Sequence, residues 1–155
     1  MSFDSFTRFA EALCTTAGAQ TPELAPDANG MLAFHFTFED VTIDVVHLPG
    51  ADGDNQDAFV LVGFGAVPED KELDVLRNLA EANFSLLAAD APVFGMNPAS
   101  GEIVLRKVID LSHVDAVEAL SEMRRLVGLA RMWRADPELA QLQVDDPVFG
   151  VHQLA

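Results

Sequence analysis

Histidines and carboxylates are the residues in this chain best suited to chemistry. The four histidines are His35, His47, His113 and His152. His35 lies on an alternating run with Ala33 and Thr37, and His47 ends the next such run. If a tight turn joins the two runs, both imidazoles could approach Asp44 and share a metal ion with it. No completing ligand is evident, and two histidines on a solvent-facing sheet surface are the commoner outcome. Glu39 with Asp44 could form a carboxylate pair for proton transfer, but a chain with 25 acids offers many such pairs. The run Asp52-Gly-Asp54-Asn-Gln-Asp57 is faintly calcium-like. It lacks the glutamate that closes an EF-hand loop, so it reads as an acidic turn. The single cysteine, Cys14, excludes an internal disulfide and a cysteine zinc site, and it falls among apolar neighbours at helical spacing. Phosphate-binding loops, dinucleotide fingerprints, zinc-protease helices and serine-nucleophile elbows are all missing. The expectation is a protein without catalysis, metal or cofactor.

The elements that would position these residues follow from periodicity. Phe3, Phe6, Phe9, Ala10, Leu13, Cys14 and Ala17 recur at intervals of three and four, which predicts an amphipathic helix ended by Gly18. Residues 31–38 alternate, with Phe34, Phe36 and Phe38 on one side. Glu39-Asp40 is a two-residue connector to Val41, Ile43 and Val45, a tight hairpin. Residues 59–66 are almost continuously apolar, as a central strand should be, with Gly63 and Gly65 marking a bulge or close approach. A second helix is predicted over 70–88 with the stripe Leu73, Leu76, Leu79, Ala80, Phe84 and Leu87. Residues 93–96 and 103–109 form a second hairpin about the turn 97–101. A third helix, capped by Ser112 or Asp115, runs to about residue 134. The order is α-β-β-β-α-β-β-α, an α+β domain with a twisted antiparallel sheet of about five strands and three helices over residues 1–135. Residues 136–155 form an acidic C-terminal tail without a readable pattern.

Charge and surface narrow the function. Nine bases stand against 25 acids, a net charge of −16. The first 70 residues hold 12 of those acids and one base, Arg8. Such a field repels nucleic-acid phosphates and anionic lipids and favours a basic protein segment. The N-terminus has no basic region leading into an apolar run, and no stretch approaches a membrane span, so a cytoplasmic protein is expected. Three helices and one sheet cannot easily bury every apolar stripe in this chain, which implies a homo-oligomer or a partner groove.

Taken together, Phe3-x-x-Phe6-x-x-Phe9 with Leu13, Asp27-Ala-Asn-Gly30 leading into Met31-Leu-Ala-Phe34, the strand Val41-Thr-Ile-Asp-Val45, Asn97-Pro-Ala-Ser-Gly-Glu-Ile-Val-Leu105 and Leu129-Ala-Arg-Met-Trp133 resemble the class I type III secretion chaperones of the Tir chaperone family. The likeness spans residues 3–134 and rests on element order, size and acidity. It departs in the long loop at 49–57 and the tail beyond Trp133. The resemblance implies a cytoplasmic homodimer that binds the N-terminal segment of a secreted effector without ATP. It places Phe3, Phe6, Phe9, Leu13, Phe34, Phe36, Phe38 and Ile43 at the effector, and Leu73, Leu76, Leu79, Ala80, Phe84, Leu87, Val93 and Phe94 in the dimer. Two rivals are a regulator or adaptor of the same fold, similar to the YbjN-like proteins, and a small metal-binding protein or enzyme built on His35, His47 and Asp44.

Overall fold

The computed structural model describes residues 2–50, 54–88 and 90–138, with side chains in the first helix described from Ser5 onward. Most of the expected tail, residues 139–155, lies outside the described residues. The order is α1 (Ser2–Ala17), β1 (Leu32–Phe38), β2 (Val41–His47), β3 (Asp57–Ala66), a 3-10 turn (Glu69–Lys71), α2 (Glu72–Ser85), β4 (Val93–Met96), β5 (Glu102–Asp110) and α3 (Ala116–Ala135). This is the α+β order that the periodicities predict. The main difference lies in the second helix. Residues Glu69–Lys71 wind as a 3-10 turn, and the α-helix stops at Ser85 rather than 88.

All pairings in the five-stranded sheet are antiparallel, in the order β1-β2-β3-β5-β4, so β1 and β4 are the edges. Strand alternation sends Phe34, Phe36, Val41, Ile43, Val45, Val60, Val62, Phe64, Phe94, Ile103 and Leu105 into the core. On α3, the face Leu120, Met123, Leu126, Val127, Ala130 and Trp133 is buried, and Phe64 links its Trp133 (ring centroids 5.8 Å) to Phe94 on β4 (5.2 Å).

Helix ends and strand irregularities have local causes. Gly18 takes φ +68° just past α1, and Ala19 N–H donates to the Cys14 carbonyl, the left-handed helix stop that glycine permits. Asp115, rather than Ser112, caps α3, its carboxylate accepting from the Val117 and Glu118 amides. β3 shifts register between Gly63 and Gly65, and Gly65 has φ +118°, which a side chain would strain. The carbonyls exposed by that bulge meet one residue. Arg134 donates through Nε to the Phe64 carbonyl (2.6 Å) and through a terminal nitrogen to the Gly63 carbonyl (3.0 Å). Its other terminal nitrogen reaches Asp40, at both carbonyl (2.9 Å) and carboxylate (3.0 Å). Thus the last turn of α3 ties the bulge to the β1–β2 turn, where Arg131 also pairs with Glu39.

Candidate functional site

The metal reading fails on strand parity. His35 stands directly opposite Asp44 in the β1–β2 ladder and is exposed, but Leu32 is the residue opposite His47. His47 therefore points to the other face of the sheet, where it is fully buried. Its ring stacks on Phe6 (5.2 Å), and Nδ1 lies 2.9 Å from the Asp57 carbonyl oxygen. That oxygen can only accept, so Nδ1 carries the proton. Among the described residues, no group of three His, Cys, Asp or Glu side chains is placed to hold a metal ion. Cys14 is buried, and burial pushes its thiol pKa up, away from reactivity.

Asp110, Ser112 and His113 do come together, on the turn after β5. The Asp110 carboxylate accepts from the Ser112 hydroxyl and amide, and its other oxygen lies 2.8 Å from His113 Nδ1. The hydrogen bond from the Ser112 hydroxyl, then that from His113, lower the Asp110 pKa to about 2. The Ser112 hydroxyl lies 2.8 Å from the same imidazole nitrogen, Nδ1. A nucleophile-activating triad needs the two different ring nitrogens for its two partners. The cluster is a turn lock on an exposed loop, and it makes no nucleophile.

The residues assigned to a client divide differently from expectation. Phe6 and Phe9 on α1, Leu13, and Phe34, Phe36 and Ile43 on the hairpin are all buried, Phe6 and Ile43 at 0% exposure. An open phenylalanine stripe on α1 is therefore absent at these positions. The chain buries the stripe because α1 lies over the inner sheet face beside α3, with Phe6 against Phe34 (5.6 Å) and His47. Phe34, Phe36 and Phe38 continue as an aromatic row (5.5 and 5.6 Å) along the inside of the edge strand, and only Phe38 is half-buried. The Phe3 side chain lies outside the described residues.

What this end leaves open is backbone. The two-residue turn makes Phe38 and Val41 a bonded pair, so Phe36, Phe34 and Leu32 also bond inward to β2. The main-chain groups of Ala33, His35 and Thr37 then point away from the sheet. Seven residues of edge strand are free of proline and of formal charge apart from His35. Edges of this kind accept another strand.

The opposite end is arranged the other way round. The predicted second-helix stripe splits in two. Leu79 (6% exposed) faces the core with Val75, with Leu76 packed partly against it. Leu73 (69%), Phe84 (80%) and Leu87 (63%) are solvent-exposed, as is Ala80 between them. Beside them, Val93 and Met96 are exposed, whereas Phe94 is buried against Phe64. Leu79 and Phe94 are thus core residues, and the exposed apolar face is Leu73, Ala80, Phe84, Leu87 and Val93. The two helical faces interleave in sequence, so periodicity alone merges them into one wide stripe.

The sequence offers Asn83 only as part of the glycosylation-like pattern Asn83-Phe84-Ser85, which without a secretory route assigns it no role. Its Oδ1 accepts from the Phe94 N–H (2.8 Å), and its Nδ2 donates to the Phe94 carbonyl (3.0 Å). The available signal was a polar carboxamide among apolar residues in the last turns of a helix.

A model of the Tir chaperone protein (CesT) family matches residues 9–134. No curated protein sequence matches the chain. Three similar solved structures share its fold. The ExsC–ExsE complex superposes at TM-score 0.63 with 18% identity, over 85% of this chain and 92% of that one. The HopA1–SchA chaperone–effector complex gives 0.59 and 12%, over 84% and 94%. The ExoT–SpcS complex of Pseudomonas aeruginosa gives 0.54 and 16%, over 83% and 96%.

Proposed function

The chain belongs to the Tir chaperone protein (CesT) family, and from that premise we propose that it is a type III secretion chaperone. It binds the N-terminal segment of a secreted effector in the cytoplasm and keeps that segment soluble and competent for secretion. It does so as a homodimer, without ATP, metal, cofactor or catalysis. Family membership carries this reading, and the likeness in fold to the HopA1–SchA chaperone–effector complex agrees with it.

The geometry supports a division of labour between the two sheet ends. At β1, an extended client strand pairs with the outward groups of Ala33, His35 and Thr37. Main-chain bonds hold the client with little demand on its sequence. Alternate client side chains then lie beside the aromatic row at Phe38. The buried residues Phe6, Phe9, Leu13, Phe34, Phe36 and Ile43 act as the floor that fixes this edge, and Phe38 as its open lip. At α2, the exposed residues Leu73, Ala80, Phe84 and Leu87 with Val93 pack against a second copy. The acidic field speeds capture of a basic client and keeps dimers apart from one another. No helix among the described residues is long and apolar enough to cross a membrane.

The test is co-expression of the tagged chain with the product of the gene beside its own. The expected result is a client that is soluble only with the chain and co-purifies at two copies of the chain per client. A client equally soluble alone, forming no complex, overturns the proposal.

A further inference from the structure

We propose that Asn83 decides which edge of the sheet can accept a strand, by occupying the β4 edge in place of a peptide. A carboxamide carries the same acceptor and donor as a main-chain unit. Asn83 aims both at one residue, Phe94, and satisfies its N–H and C=O together. Those two groups are the ones an incoming strand would use. The turn at 97–101 sets the parity: Asn97 N–H donates to the Glu102 carbonyl, so Asn97 pairs inward, Gly95 likewise, and Phe94 and Met96 face out. Pro92, the next outward position, has no N–H to offer. Of the outward positions on this short edge, only Met96 therefore keeps both groups open.

Asn83 sits where the helix would prefer another residue. Asparagine is a poorer helix former than the alanine and leucine around it, and the two bonds to Phe94 are its return. The position matters because the β4 edge lies among the apolar residues Phe84, Leu87, Val93 and Met96, all exposed. An apolar surface beside an open edge favours unrestricted strand-to-strand association. With Asn83 in place, association at this end proceeds by side chains, and the β1 edge is left as the one for strand pairing. The choice of edge for a client rests on the function proposed above. The guarding of β4 against self-pairing does not.

The experiment therefore uses the full chain alone. Asn83→Ala opens Phe94, and sedimentation velocity over a wide concentration range should show at least a doubling of weight-average mass over wild type. Met96→Pro on that background removes an outward N–H that makes no ladder bond, and the mass should return to the wild-type value. An N83A protein that is folded by circular dichroism and keeps the wild-type mass at every concentration overturns the proposal. So does extra association that Met96→Pro leaves intact but Phe84→Asp abolishes, because that association runs through side chains. If N83A loses its fold, Asn83→Asp carries the same comparison. It keeps an acceptor for the Phe94 amide but leaves the carbonyl unpaired, and should give a partial increase that Met96→Pro reverses.

Discussion

The two ends of the sheet carry similar sequence patterns and present opposite surfaces. At the α1–β1 end, phenylalanines recur at helical and strand spacing, yet their side chains close the core and the exposed asset is main chain. At the α2–β4 end, the main chain is answered by Asn83 and the exposed asset is side chain, with Phe84 at 80% exposure. An apolar stripe thus does not say whether it faces a partner or its own core. The outcome depends on how many layers compete for it. α1 lies over the inner sheet face beside α3, and all of its described apolar side chains face inward except Ala12. α2 flanks an edge strand, so it has only a narrow inner face, filled by Val75 and Leu79.

The largest expected effect breaks the comparison at the first end. Phe6→Ala removes a fully buried ring that touches Phe34 and His47. It should cost about 3–5 kcal/mol of stability, read from the urea midpoint. Unchanged stability with lost client binding would mean that Phe6 is a surface anchor after all. At the second end, Phe84→Asp should leave the monomer as stable as wild type, since Phe84 fills no core space. It should weaken the proposed dimer by about 2 kcal/mol or more, as interface anchors do, measured by sedimentation equilibrium. Leu79→Asp is the contrasting variant, and it should unfold the protomer. A Phe84→Asp protein with wild-type self-association removes α2 from the interface.

Much of the fold was legible because α+β order depends on periodicity and turn chemistry, which are local. Phe34, Phe36 and Phe38 alternate as a strand does, Glu39-Asp40 closes the hairpin, and Gly18 stops the first helix. The site was less legible because it depends on parity and on neighbours. That His35 and His47 fall on opposite faces follows from their even offset across a two-residue turn, since Phe38 paired with Val41 forces Leu32 opposite His47. The role of Asn83 was hard to read for a different reason. Its partner is a backbone, and a backbone leaves no residue type to read.

A smaller effect sharpens the first end. His35→Pro deletes an outward N–H of β1 without removing a bond to β2, and edge strands tolerate proline at such places. Client affinity should fall about tenfold, roughly 1.4 kcal/mol, by calorimetry on a purified client, while circular dichroism stays native. Equal affinity would show that the client does not pair with this edge.

The smallest effect lies at neither end and gauges what local electrostatics do by themselves. Asp110 ends the interior strand β5, and its hydrogen bonds from Ser112 and His113 bring its pKa from 3.8 to about 2. The folded state holds this proton more weakly than the unfolded chain does. The stabilisation is therefore complete above the unfolded value near 3.8 and is lost as the pH falls through about 2. Asp110→Asn cannot titrate, so its urea midpoint should decline less steeply than that of wild type across this acid window. Since the carboxylate is exposed, the difference should be small and should shrink in high salt. Mass and client affinity at neutral pH should not change, because the Asp110 carboxylate bonds to Ser112 and His113 within its own turn. A change in either would mean that the two ends communicate through β5, and that the backbone and side-chain surfaces do not act separately.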